Sequence, residues 1–304
     1  MADYPDDLRG LVEDYLDGLA FSAVANTEGL EQAMRYSLLA GGKRIRPVLC
    51  LAVARSLGED PESVLPAAAS IELIHTYSLI HDDLPSMDDD DLRRGRPTSH
   101  KAYGEDVAIL AGDGLFAEAI RLFAERQEAE PDRVLAALTE LCRATGVEGM
   151  VGGQYVDVTV DHADPGGAAG RQAADISSTA SFLRELHSLK TGRLICASVL
   201  VPLILAGRTA AETAPYREFA DELGVLFQIV DDILDVTGSD AQLGKPQGSD
   251  ERHGKLTYVS LFGLARAREL AAESHANARR ALARIDGDTA DLVLLADFIH
   301  TRDA

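Results

Sequence analysis

The chain has 304 residues, 46% of them hydrophobic, enough for a sizeable core, which excludes an intrinsically disordered protein. Fifty acidic residues against 29 basic ones give a formal charge of −21, which excludes attachment to nucleic acid or an anionic membrane through the overall field. Trp is absent and aromatic residues make up 5%, so the core is built from Leu, Ala, Val and Ile, a palette suited to packed helices.

The opening segment, "MADYPDDLRG", is acidic and lacks an apolar stretch, so it does not read as a signal peptide. Helical periodicity predicts helices over 7–23, 27–40, 44–57, 62–83, 106–126, 131–150, 171–189, 192–206, 212–236, 257–283 and 288–301. Turn-rich segments separate them, among them "LGEDPES", "EAEPDR" and "DHADPGGAAG". No stretch alternates with a two-residue period between hairpin signals, so no sheet is expected. The pattern predicts an all-α fold, one antiparallel helical bundle forming a single domain over 1–304. The apolar run Leu194 to Gly207 contains Pro202 and is too short to span a bilayer, so it reads as a buried helix of a cytoplasmic protein without stable membrane insertion. Cys50, Cys142 and Cys196 have no metal-ligand spacing and read as reduced core residues.

Two helices are apolar nearly all round, Val64 to Ile80 and Leu223 to Ile233, and therefore belong in the interior. Both end in aspartates. The first cluster, "HDDLPSMDDDDLRRGRP", holds six aspartates between Asp82 and Asp91 and three arginines just after them. Pro85 disfavours helix at Leu84, so Asp82 and Asp83 close the helix and Asp88 arrives through a loop that folds back, while Asp89 to Asp91 continue outward. The second cluster, "FQIVDDILD", holds Asp231, Asp232 and Asp235. Asp231 and Asp235 are four apart and share a helix face, where like charges repel unless a cation sits between them. A single acidic run is most often a solvated face. Two of them on apolar helices, each beside basic, Gly-rich segments, read as a site. Oxygen-only ligation points to Mg²⁺ before Zn²⁺. An EF-hand does not fit, because its required Gly and final Glu are missing.

Cations cluster in matching places. "GGKRIRP" offers Lys43, Arg44 and Arg46 near a helix start, where free amides and the helix dipole favour phosphate. Arg93 and Arg94 follow the first acidic cluster, "LKTG" supplies Lys190 and Thr191, and "LGKPQGSDERHGK" supplies Lys245 and Lys255. Carboxylates that hold Mg²⁺, flanked by cations, suit diphosphates, and apolar helices around them suit greasy substrate tails. Smaller signals are His81, read as a helix-end neighbour of the acids, Gln154 and Asp157 near a helix end, Ala111, Gly112 and Gly114 as close-packing positions, and Asp113, either a metal support or plain surface.

"GGKRIRP", "IHTYSLIHDD", "DLRRGRPTSH", "AILAGDGL", "GGQ", "LKTG" and "LGKPQGSD…GKLTY", with "DDLPSMD" and "FQIVDDILD", resemble in order the segments of the trans-isoprenyl diphosphate synthases, over about residues 28–300. The resemblance implies an all-α bundle around a central apolar cavity, usually a homodimer, and a head-to-tail transfer joining isopentenyl diphosphate to an allylic diphosphate. Asp82, Asp83, Asp88, Lys190, Asp231, Asp232 and Asp235 would form the catalytic set. Asp82, Asp88 and Asp231 would hold Mg²⁺, with Asp83 and Asp235 as further ligands or supports. Three ions would bind per site, with Mn²⁺ as a substitute. Arg93, Lys190 and Lys245 would meet the allylic phosphates, assisted by Thr191 and Gln228, with Lys255 nearby. Isopentenyl diphosphate would sit on Lys43, Arg46, His75 and Arg94. Tyr77 and Ser78, just before Asp82, would set product length, and the Tyr together with the two extra residues between Asp83 and Asp88 looks like the bacterial farnesyl (C15) pattern, geranylgeranyl (C20) being the alternative. A terpene cyclase is a weaker rival, since such enzymes usually replace the second Asp cluster with an Asn/Ser/Glu pattern. A non-catalytic subunit would normally have lost ligands.

Overall fold

The computed structural model describes residues 4–163, 176–238 and 255–302. Its elements are α1 (Asp6–Asp17), α2 (Glu28–Leu38), α3 (Ile45–Ser56), α4 (Leu65–Asp82), β1 (Leu92–Arg93), β2 (Arg96–Pro97), α5 (Ser99–Tyr103), α6 (Glu105–Arg126), α7 (Pro131–Thr145), α8 (Met150–Ala163), α9 (Ile176–His187), α10 (Arg193–Leu205), α11 (Ala210–Thr237), α12 (Tyr258–Phe262), α13 (Leu264–Leu282) and α14 (Ala290–Thr301). The all-α expectation holds, with one exception among the described residues. The ribbon β1–β2 pairs Leu92 with Pro97 and Arg93 with Arg96, turning through Arg94 (φ 54°) and Gly95 (φ 73°). Two left-handed residues in a row make the tight turn whose twist suits a hairpin. Strands of two residues are too short to show alternation, so the pattern left no trace.

Several boundaries differ from the periodicity. The stretch expected as 131–150 ends at Thr145, and a separate helix, α8, starts at Met150 after the Gly146–Gly149 break. Gln154 and Asp157 therefore lie within α8 rather than near a helix end. The stretch expected as 257–283 is two helices, broken at Gly263, whose φ of +79° suits no L side chain well. Between α9 and α10 the backbone widens into one π turn, Ser188–Gly192.

The chain falls into two compact units. Among the described residues, one holds 5–138 and 201–207, the other 4, 139–163, 176–200, 208–238 and 255–302. In the first, α4 is the central element. Asp60 caps the single 3₁₀ turn before it by accepting from the Glu62 amide, and Pro66 stands in its first turn. Its buried residues, Leu65 to Ile80, cover all sides, and the small residues Ala108, Ala111 and Gly112 let α6 pack closely against it. A Cβ on Gly112 would come within 2.2 Å of His81 Nε2, so the expected close packing at this position is physical. In the second unit the long α11 starts at a capping box between Thr209 and Glu212 and packs against α13, the π turn and α14.

Two helical runs, Pro61–Asp82 and Thr179–Leu205, are long and apolar enough by length and composition to cross a membrane, longer than the apolar run alone indicated. Most of each is buried within the protein, so the apolar length serves the core. Cys50 is buried as expected, but Cys142 lies exposed on α7 and Cys196 is half-buried; all three are free thiols.

Candidate functional site

In the first unit, α4 stops at Asp82 and the chain turns back at once. The Asp88 amide donates to the Asp82 carbonyl at 2.9 Å, while the Met87 and Asp89 amides both donate to the Leu84 carbonyl. The expected fold-back is therefore present and is made by the main chain. Asp82 and Asp88 are half-buried. Asp83 is not available in the same way. It is buried and gripped by Arg93, whose Nε reaches both carboxylate oxygens at 2.8 and 2.9 Å and whose Nη2 adds a third bond. Burial raises the Asp83 pKa and the Arg93 guanidinium opposes that shift. Arg93 and Asp83 thus engage each other, a supporting role for Asp83 rather than an open ligand. Beyond them Asp91 pairs with Lys101 at 2.7 Å on the surface, as the outward course of this run implies.

The cations of "GGKRIRP" divide by role. Arg44 is a core strut and is not free for phosphate. Its Nη1 donates to Glu72 at 2.7 Å, its Nε to Glu13 at 2.8 Å and its Nη2 to the Leu38 carbonyl at 2.7 Å. Arg46 lies against His75, with Nη1 3.4 Å from Nε2. Burial lowers the His75 pKa well below its usual value, and the guanidiniums of Arg46, Arg94, Arg93 and Arg44 add to the shift, so the imidazole is neutral. Arg94 donates to the Gly41 carbonyl and lies flat over Gly42, where a Cβ would come within 2.6 Å of its Cζ. The glycine pair therefore lets Arg94 approach the half-buried Lys43 segment. Arg46 and Arg94 thus both act on the neutral His75, and these three, with Lys43, are the residues the resemblance assigns to isopentenyl diphosphate.

Tyr77 is buried on α4. Its ring meets Phe116 of α6 edge-on at 5.2 Å and His81 at 5.7 Å, and burial with the nearby Asp82 pushes its hydroxyl up to about 12. The Ser78 hydroxyl turns back to the His75 carbonyl. His81 contacts the Ile109 carbonyl at 3.1 Å, so it joins α4 to α6; Asp113 is 4.0 Å away.

In the second unit, the π turn presents Lys190 and Thr191. A Cβ on Gly153 would lie 2.4 Å from the Lys190 amide, so α8 comes close enough for Lys190 Nζ to reach Asp157 Oδ2 at 2.6 Å. Gln154 Oε1, one turn earlier, is buried without a hydrogen-bond partner. Thr191 donates to Gln228 Oε1 at 3.1 Å, Gln228 donates to Asp232 Oδ1 at 2.8 Å, and the Tyr258 amide donates to Asp232 Oδ2 at 2.7 Å. Asp232 is 1% exposed with both oxygens used, so it is a structural strut rather than a group that touches substrate. Asp231 is open to solvent on one side and pairs with Arg302; Asp235, one turn on, is buried. Burial lowers the His187 pKa to about 4, beside the Tyr258 ring. Lys255 is half-buried, and Lys245 lies outside the described residues. Sequence reasoning missed Arg302 and Tyr258. A lone arginine near the chain end and a backbone amide carry no signal. Nothing in the sequence around Asp157 marks it as the partner of Lys190.

Among the described residues, no three His, Cys, Asp or Glu side chains close on a common point. Mg²⁺ keeps several waters and takes one or two carboxylates plus substrate phosphates rather than an all-protein cage. The donor set, Asp82 with Asp88 and Asp231 with Asp235, is oxygen-only, as the ion requires.

The polyprenyl synthetase family model matches residues 27–289 of the chain. The chain is 46% identical over 276 residues to the chloroplastic geranylgeranyl pyrophosphate synthase of Capsicum annuum, covering 90% of this chain and 72% of that protein. It is also 46% identical over 276 residues to the farnesyl diphosphate synthase of Geobacillus stearothermophilus, covering 90% and 89%. Among solved structures, a geranyltransferase from Helicobacter pylori complexed with magnesium and isoprenyl diphosphate is similar at a TM-score of 0.81 and 30% identity, covering 98% of this chain and 96% of that one.

Proposed function

The chain belongs to the polyprenyl synthetase family and is a short-chain prenyltransferase, and from that premise we propose that it extends dimethylallyl or geranyl diphosphate with isopentenyl diphosphate to farnesyl diphosphate, C15. The observation that carries the product length is Tyr77. It stands five residues before Asp82, about 7.5 Å along the helix, and two rings brace it. A chain growing past Asp82 along α4 meets that wall early. The C20 reading has one observation in its favour, the equal identity to a geranylgeranyl synthase.

Arg46, Arg94 and Lys43 would hold the isopentenyl diphosphate, with neutral His75 as a hydrogen-bond partner. Asp82, Asp88, Asp231 and Asp235 would hold three Mg²⁺ ions, or Mn²⁺ in their place. When bound, the metal neutralises the diphosphate and assists its departure from the allylic carbon. Lys190, oriented by Asp157, adds a fixed positive charge for the leaving group. Apolar walls such as Ile80 and Leu84 keep water from the allylic cation.

Residues 1–304 act as one catalytic module. The protein works in the cytoplasm, which its three free thiols support. It pairs with a second copy, which the exposed Ile109, Leu110 and Phe116 of α6 support, since helices that show apolar side chains to solvent gain by being covered.

The test is incubation with isopentenyl diphosphate, each allylic starter and Mg²⁺, followed by chromatography of the dephosphorylated products. C15 as the end product supports the reading. C20 as the main product removes the Tyr77 argument and leaves the prenyl transfer. No condensation with either starter removes the whole reading.

A further inference from the structure

The last turn of the chain brings a cation to an aspartate of the second acidic segment. α14 is anchored by the buried Leu292, Leu295, Ala296 and Ile299 and ends at Thr301. Arg302 then leaves the helix in an extended conformation, with φ −64° and ψ 144°. Its Nη2 donates to Asp231 Oδ1 and to the Phe227 carbonyl at 3.3 Å, and its guanidinium lies 4.3 Å from the centroid of the Phe227 ring. Phe227 and Asp231 are one turn apart on α11. A single turn of helix thus offers ring, carbonyl and carboxylate to one guanidinium.

Two details separate this contact from the permanent struts of the protein. Arg44 spends all three guanidinium nitrogens on partners, and Arg93 grips both oxygens of Asp83. Arg302 takes one oxygen of Asp231, and its Nε is buried with no hydrogen-bond partner. The Arg302 side chain is 7% exposed, whereas that of Asp231 is 42% exposed. The cation is packed beneath a carboxylate that remains reachable from outside.

We propose that Arg302 is the resident counter-ion of Asp231 and that a divalent cation must displace it, so that Arg302 sets the metal affinity of the second acidic segment. The inference rests on the reading of Asp231 as a metal ligand. A guanidinium and a divalent ion compete for the same oxygen lone pairs, and their like charges repel across a short gap. While Arg302 holds Asp231, the repulsion between Asp231 and its acidic neighbours is reduced and metal binding is weakened.

The experiment is a Mn²⁺ titration of the full-length protein without substrate, followed by electron paramagnetic resonance of the free ion. Asp231→Asn identifies the class of site that depends on this carboxylate. Arg302→Gln tightens Mn²⁺ at that class by about fivefold, the upper end of what one partly exposed ion pair contributes. Arg302→Lys keeps the charge but loses the flat stack on Phe227. It tightens Mn²⁺ by about threefold, and it serves as the test should the Gln variant fail to fold. If Arg302→Gln and Arg302→Lys leave Mn²⁺ affinity unchanged or weaker while Asp231→Asn abolishes a site, the inference is wrong and the metal role of Asp231 stands. If Asp231→Asn binds Mn²⁺ as the unaltered protein does, both are wrong.

Discussion

Replacing Asp232 separates a strut from a ligand. Its two oxygens accept from Gln228 Nε2 at 2.8 Å and from the Tyr258 amide at 2.7 Å, and the carboxylate is inaccessible to solvent. Asp232→Ala removes both acceptors and leaves a buried amide and a side-chain amide without partners. Hydrogen bonds to a charged group contribute about 1.5–3 kcal/mol each, so the loss is about 3–5 kcal/mol after partial relaxation. For a chain of this length that is a fall in melting temperature of roughly 6–10 °C. Asp232→Asn is milder. Its remaining oxygen serves the Tyr258 amide, and Gln228 can flip to accept from the new NH₂, because the Thr191 hydroxyl is able to accept as well as donate. The expected cost is about 1–2 kcal/mol. The assay pairs thermal denaturation by circular dichroism with Mn²⁺ titration. Both variants should melt in the order Ala below Asn below the unaltered protein, with the number of Mn²⁺ sites unchanged. An Asp232→Ala protein of normal stability that has lost a Mn²⁺ site refutes the strut assignment.

Arg44→Ala leaves Glu72 buried and unpaired, and should destabilise the protein by about 3–5 kcal/mol in urea denaturation. Tyr77→Ala should extend the main product from C15 to C20 in the chromatographic assay, and an unchanged C15 product excludes Tyr77 as the wall. Asp157→Asn should lower kcat by at least tenfold through misplacement of Lys190, with helicity unchanged; a wild-type kcat places Lys190 outside the reaction. His187 binds a proton more weakly folded, at about 4, than unfolded, near 6.5. The unfolded state therefore holds more protons between those values, and stability falls as pH drops from about 6.5 to about 4, by up to about 3 kcal/mol. His187→Gln should flatten that part of the stability–pH curve, which urea melts across the range measure directly.

The acidic segments were legible because their chemistry is local. Pro85 fixes where α4 stops, and the spacing of Asp231 and Asp235 fixes their shared face. Lys190 and Thr191 were legible as polar groups at a helix junction, although the π turn that widens the junction was not. What was hidden depended on partners distant in sequence. Arg44 and Arg46 look alike in "GGKRIRP", and only Glu72 and Glu13 decide that the first is a strut. Asp83 and Asp82 are adjacent and identical, yet Arg93 claims one of them. Asp232 lost its apparent role to the amide of Tyr258. In each case a charge alone names a capacity, and the fold spends that capacity on whichever opposite group arrives first.

The main-chain bond from Asp88 to the Asp82 carbonyl has an evolutionary consequence. Because backbone atoms close this small ring, the residues inside it need only permit the turn: Pro85 stops the helix, and the exposed Ser86 is open to drift. Its length is a different matter. Removing one residue from the ring would move the Asp88 carboxylate relative to Asp82, so a substitution at Ser86 should be tolerated better than its deletion.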